Sequence, residues 1–283
     1  MRALLARESS RSGRLLLASS LVALLWSVNA QASTIPPIWE TNLGNAAAFA
    51  PNADEGTVVI NFGFAFPFLG NNYTTASLST NGFLWLNAAN TDPGCCDGSV
   101  AALLAGDPRI AGGWFDLNAS TTGSIRVNTF GGNRAVITYV GVPECCDVGS
   151  YTFQMQLLST GRIVFGYDSF QTPANSSDIL IGVTPGNNAA DPGSSDLLNG
   201  TPFTSGGGTV YQFIGAVGIE ALNTFEGSNV IFDPNGSGWS VSRQTTGTGP
   251  AAPVPEPGTF GMLGLGAAAL LELARRRRVR PRP

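Results

Sequence analysis

The chain has no histidine and no lysine; all 15 of its basic residues are arginine. Without an imidazole it lacks the commonest general base at neutral pH and the nitrogen ligand typical of zinc and copper sites. Ser-His-Asp and Cys-His catalysis are excluded by composition. Charged residues make up only 12% of the chain, and long amphipathic helical patterns are missing. Between Ser33 and Glu256 five arginines (Arg109, Arg126, Arg134, Arg162 and Arg243) stand against 17 carboxylates, a net charge of −12. Such a surface repels nucleic acid and anionic headgroups, so no nucleic-acid partner is expected. It also keeps an exported protein soluble, and divalent cations could bridge it to acidic polysaccharide.

What is present is concentrated first at the two ends. Arg2, Arg7, Arg11 and Arg14 precede an apolar stretch from Leu15 to Val28, and Ala30-Gln31-Ala32 has the small-x-small form of a cleavage site. This is the layout of a general secretory signal, with a mature start near Ser33. At the other end, Val254-Pro255-Glu256-Pro257-Gly258 precedes an apolar run from Phe260 to Leu271. Arg275, Arg276, Arg277 and Arg278 follow, and such basic flanks stay on the cytoplasmic side of a membrane. As a helix, Thr259 to Ala274 spans about 24 Å, short of the ~30 Å hydrocarbon core. A segment this short suits brief retention followed by cutting.

The Pro255-Glu256-Pro257 motif, the Gly/Ala/Leu-rich run and the terminal arginines, in that order, closely resemble the PEP-CTERM sorting domain of Gram-negative bacteria. The resemblance implies recognition by a membrane-embedded exosortase and cleavage at or near Pro-Glu-Pro. It also implies a transient inner-membrane intermediate, then delivery to the cell surface or extracellular matrix, often alongside exopolysaccharide.

Between the ends, short apolar runs alternate with turn signals. Thr57 to Phe62, Ile125 to Thr129, Ala135 to Val140, Tyr151 to Leu157 and Arg162 to Tyr167 have the composition of strands. Tyr151 to Leu157 alternates apolar with polar residues, the period of a half-buried strand. Gly131-Gly132-Asn133-Arg134 and Ser159-Thr160-Gly161-Arg162 read as hairpin turns. Further strands are expected at Thr209 to Ile214 and at Asn229 to Phe232. The last of these should turn through Asp233 to Gly238 into Trp239-Ser240-Val241. A short helix is expected at Ser99 to Ala105 and a long loop over 185–208. The pattern predicts an all-β fold, an antiparallel β-sandwich with long loops, flanked by an N-terminal signal helix and a short C-terminal membrane helix. The expected organisation is signal peptide 1–32, N-terminal extension 33–56, β domain 57–243, linker 244–253 and sorting signal 254–283.

Within the β domain, Phe62-Gly63-Phe64-Ala65-Phe66-Pro67-Phe68-Leu69-Gly70 leads to Leu78-Ser79-Thr80-Asn81-Gly82-Phe83-Leu84, and then to Ile110-Ala111-Gly112-Gly113-Trp114-Phe115-Asp116. Over residues 57–185 this resembles the nidogen-like (NIDO) domain of extracellular and matrix proteins. Gly112-Gly113 replaces that family's more usual proline-aromatic pair. The resemblance implies an adhesion or matrix role. Independently, Phe62, Phe64, Phe66 and Phe68 share one side of a strand at period 2 and can bury together. Trp114 is expected in the core, with an aromatic platform for sugar as the alternative.

The cysteines form two doublets, Cys95-Cys96 and Cys145-Cys146, in similar turn contexts. An even count in an exported chain implies disulfides. Two bonds joining the doublets are expected; each would close a loop of about 50 residues and contribute roughly 3–4 kcal/mol. Vicinal bonds and a zinc site built from all four thiolates are the alternatives, and a redox dithiol lacks its C-x-x-C spacing. Asp97 and Asp147 flank the doublets and could help bind Ca²⁺; no other metal and no cofactor is expected. Asp107, Asp116, Glu144 and Asp168 have the chemistry for a carboxylate-dependent hydrolase, but no spacing selects a pair. No catalytic residue is assigned. The expected function is a non-catalytic adhesion or matrix module, whose partners are exosortase and, beyond it, exopolysaccharide or other matrix proteins. A carbohydrate-binding module and a hydrolase are the alternatives.

Overall fold

The computed structural model describes residues 38–170, 177–197, 199–215 and 225–246. The signal peptide, residues 247–253 of the expected linker and the sorting tail lie outside these residues, as do Ala30, Ala32, Pro255, Glu256, Pro257 and the four consecutive arginines; Gln244 and Thr245, expected in the linker, belong to the last strand. Among the described residues no helix is long and apolar enough to cross a membrane.

Two antiparallel sheets form a sandwich. The larger has the order β1 (Asn45–Ala46), β6 (Ser124–Phe130), β7 (Arg134–Glu144), β8 (Val148–Leu158), β9 (Ile163–Ser169), β13 (Ser228–Asn235), β14 (Gly238–Thr245) and β11 (Phe203–Thr204). The smaller has the order β12 (Val210–Ile214), β10 (Ile179–Thr184), β5 (Arg109–Trp114), β4 (Phe83–Trp85), β3 (Asn71–Ser79) and β2 (Thr57–Phe68). Helix α1 (Val100–Ala105) begins where Ser99 caps the amide of Ala102, as expected of a serine before an apolar turn.

The core forms where the period-2 faces of the sheets meet. In β8, Tyr151, Phe153, Met155 and Leu157 point inward, while Gln154 and Gln156 lie on the opposite face. Phe62, Phe66 and Phe68 of β2 are buried together, and Phe64 is partly buried against them. A register shift between Asn61 and Phe66 bends this edge strand, and Pro67 sits near its end, where a missing amide is tolerated. Aromatic rings bridge the two layers: Phe68 meets Trp239 with centroids 5.6 Å apart. Each such buried ring contributes roughly 1.5–3 kcal/mol.

The Gly112-Gly113 pair has a packing reason. A Cβ on Gly112 would lie 2.6 Å from Met155 Cγ, and one on Gly113 would lie 2.9 Å from the Phe170 ring. Glycine lets the smaller sheet approach closely enough for the Tyr167 hydroxyl to donate to the Gly112 carbonyl at 2.7 Å. Tyr139 makes the matching bond to the Ser79 carbonyl at 2.5 Å. The last hairpin is tighter than the Asp233 to Gly238 turn expected from sequence. Strand pairing continues to Asn235 and Gly238, leaving Gly236 and Ser237 as the loop.

Candidate functional site

Carboxylates and sulfur gather at one end of the sandwich. Asp54 and Glu55 precede β2, and Asp116 follows β5. Their carboxylates lie within 4.8 Å of one another. Glu55 also lies within 4.8 Å of both sulfurs of Cys95 and Cys96. Asp116 bonds the Cys145 side chain, and its carbonyl accepts from the Cys145 amide at 3.1 Å.

Asn81 fastens this end together. It is fully buried; its amide donates to Glu55 Oε2 at 3.1 Å and to the Pro93 carbonyl at 3.3 Å, while its Oδ1 accepts from the Leu117 amide at 2.8 Å. The following Gly82 has φ +85°, and a Cβ there would stand 1.8 Å from the Gly113 carbonyl oxygen. Only glycine fits that turn.

Burial first, then the charges of Asp116 and Asp54, raise the pKa of Glu55. Burial likewise raises that of Asp116, against the lowering effect of its bond to Cys145. Cys145 is pushed up to about 12 by desolvation, then by its bonds to Cys146 and Asp116. The three carboxylates match the hard oxygen donors that Ca²⁺ takes, and Glu55 with the two sulfurs offers a softer set.

The cysteine pairing differs from the expected bridges between doublets. Cys95 is bonded to Cys96, and Cys145 and Cys146 are thiols 3.5 Å apart. Glu55 sits against the first doublet and Asp116 against the second. Asp97 and Asp147 do not join that cluster. Asp97 accepts from the Asp178 amide at 3.1 Å, and Asp147 accepts from the Thr121 hydroxyl.

Of the four carboxylates singled out by chemistry, Asp116 and Glu144 come from neighbouring backbone, where Leu117 bridges to Glu144 and the Asp116 carbonyl accepts from the Cys145 amide. Asp107 accepts from Asn87 and Asn90 at 3.0 and 2.8 Å. Glu144 is fully buried and accepts from the hydroxyls of Tyr151 and Ser177. Asp116 belongs to the acidic cluster, and Asp168 lies near the end of β9.

Trp114 is buried, with its indole N–H bonded to the Gly94 carbonyl at 2.7 Å, so it offers no surface for a sugar. It belongs to a box on the outer face of the smaller sheet. Arg109 is 1% exposed, and its guanidinium carbon lies 3.6 Å from the Trp85 ring centre, 3.9 Å from Trp114 and 4.6 Å from Phe83. Burial lowers its pKa to about 9, opposed by the charges of Asp92 and Asp107. Reading the sequence did not find this box. Its signal was a lone arginine, in a chain poor in cations, flanked by strands that carry tryptophan.

Two packed antiparallel sheets, joined at one end by sulfur- and carboxylate-bearing loops, define an antiparallel β-sandwich. The chain belongs to the NIDO-related family, whose model matches residues 27–212. A second match, to the PEP-CTERM protein-sorting motif, covers residues 253–278. That motif marks the chain for exosortase processing and export through the membrane to the cell surface. No solved structure matches the chain. Strands β13 and β14 of the larger sheet lie beyond the NIDO-related match.

Proposed function

We propose that the mature domain is a non-catalytic adhesion or matrix-assembly module, released at the cell surface by exosortase. The observation that supports this reading is the pairing, in one chain, of the sorting motif with a NIDO-related sandwich. In the same reading Asp54, Glu55 and Asp116 hold Ca²⁺ and couple cation binding to the order of the cysteine-bearing loops. Binding of the mature protein to the host's own exopolysaccharide, with and without Ca²⁺, is the test. Ca²⁺-dependent binding that is lost in Asp116→Asn is expected. Turnover of a glycan or peptide that disappears on replacing one carboxylate would overturn the non-catalytic reading.

One observation favours a carbohydrate-binding role instead. A shallow depression of about 380 Å³ is lined by Pro185, Asp191, Pro192, Gly207 and Thr209 among others. Asp191 there accepts from the Tyr211 hydroxyl at 2.7 Å. Weaker glycan binding in Asp191→Ala, with Asp116→Asn unaffected, would favour this second role.

A further inference from the structure

Arg126, Thr138, Gln154, Gly166 and Asn229 form a straight row across β6, β7, β8, β9 and β13, each paired in register with the next. The row lies on the outer face of the larger sheet. Residues 38–44 run along it, crossing the strands one after another. Asn229 Oδ1 accepts from the Ile38 amide at 2.8 Å, and its Nδ2 donates to the Ile38 carbonyl at 3.0 Å. Two residues on, Gln154 Oε1 accepts from the Glu40 amide at 3.0 Å, and its Nε2 donates to the Glu40 carbonyl at 3.1 Å. Between them the Trp39 ring covers Gly166; a Cβ on that glycine would stand 3.2 Å from the ring. Arg126 then donates to the Gly44 carbonyl at 2.7 Å, and Arg134 pairs with Glu40.

Two buried carboxamides thus grip residues i and i+2 of an extended backbone, the spacing and pattern that a neighbouring strand would offer. The grip reads backbone. Trp39 on Gly166 and Glu40 on Arg134 supply its selectivity. Ile38 and Trp39 belong to neither core cluster, so the segment can leave without opening the core. With a mature start near Ser33, it is also close to a free end and can leave without threading.

We propose that this face also takes up residues 38–44 of a second copy, and that exchange of the segment joins mature domains head to tail. Each copy carries one segment and one face, and their complementarity is the one seen within the single chain. Such a contact is heterologous, so one-way donation extends into open chains or rings, and reciprocal exchange closes a pair. Occupancy by a chain's own segment dominates in dilute solution, and crowding at a surface favours exchange. The idea deepens the matrix-assembly reading and rests on it for its biological setting.

The test mixes two variants of the processed chain, Trp39→Cys and Gly166→Cys, under mild oxidation. Peptide mapping should find a bond between the two introduced thiols in the mixture. Its yield should rise about ten-fold for a ten-fold rise in concentration in the dilute limit, as mass action requires. A chain carrying both substitutions should close the same bond internally, which establishes that the thiols reach each other. If it does so while the mixture gives no interchain bond at any concentration, the proposal is overturned. A second measurement guards against misfolding of the glycine variant. Sedimentation of the unmodified processed chain should show association that a synthetic peptide of residues 33–44 suppresses; association untouched by the peptide, or none at any concentration, also overturns it. Both experiments use purified protein alone, so their outcome is separate from that of the exopolysaccharide assay.

Discussion

Replacing Arg109 tests how a cation survives inside an apolar layer. Its guanidinium is held by three rings at 3.6, 3.9 and 4.6 Å. Desolvated cation–π contacts contribute up to about 2 kcal/mol each, so the attraction is roughly 4 kcal/mol once the longest contact is discounted. Against this, burying a charge costs several kcal/mol. Part of that cost is that Nε and Nη1 have no hydrogen-bond partner among the described residues, at about 1–3 kcal/mol apiece. These magnitudes cancel to within their size, so the charge itself contributes little net stability and the filled volume contributes most. Arg109→Met, which keeps the stem, should therefore unfold within about 1 kcal/mol of the parent. Arg109→Ala opens a cavity beneath two tryptophans and should lose about 3 kcal/mol. Urea titration followed by tryptophan fluorescence reads both, since Trp85 and Trp114 form the walls of the box. A loss in Arg109→Met as large as in Arg109→Ala would refute the reasoning and show that the charge holds the box together.

Glu55 has a raised pKa in the fold, so the native state binds more protons than the unfolded chain over the window just above pH 4.5, and stability falls as pH rises through it. Glu55→Gln should accordingly stabilise the fold at pH 7, and the gain should vanish below about pH 4. Thermal unfolding at the two pH values checks it. Gly82→Ala should cost about 3 kcal/mol or abolish folding, because its Cβ meets a backbone oxygen and its φ is positive; expression yield and melting temperature report this. Non-reducing peptide mapping should find Cys95 bonded to Cys96, and a peptide joining Cys95 to Cys145 or Cys146 would contradict the observed pairing.

Much of the fold was legible because its strands follow simple rules. Tyr151 to Leu157 alternates, and the structure turns its apolar half into the core; Gln154 and Gln156 on the other face are buried as well, beneath residues 38–40. Gly131-Gly132 and Gly161 mark hairpins that take positive φ, and Ser99 caps the short helix. What periodicity does not carry is which distant elements meet. β9 pairs with β13 across some sixty residues, so local pattern cannot announce the larger sheet. The acidic cluster was half legible. Asp116 stood out by chemistry, but Asp54 and Glu55 reach it only through the fold, and the three bonds of Asn81 follow from no local pattern. The doublets were paired by resemblance of context, which says that two loops are alike, not that their sulfurs touch. The segment at 38–44 has no strand period because it crosses strands instead of joining their ladder.

The central claim is that this NIDO-related domain reaches the cell surface by exosortase processing. Intact mass spectrometry of surface material, from the native host and from the same host lacking its exosortase, tests it most directly. In the native host the chain should end near Pro257, with Arg275 to Arg278 removed, and without exosortase the full-length tail should remain in the membrane fraction. Full-length protein ending at Pro283 on the outer surface, in equal amounts in both hosts, would contradict it.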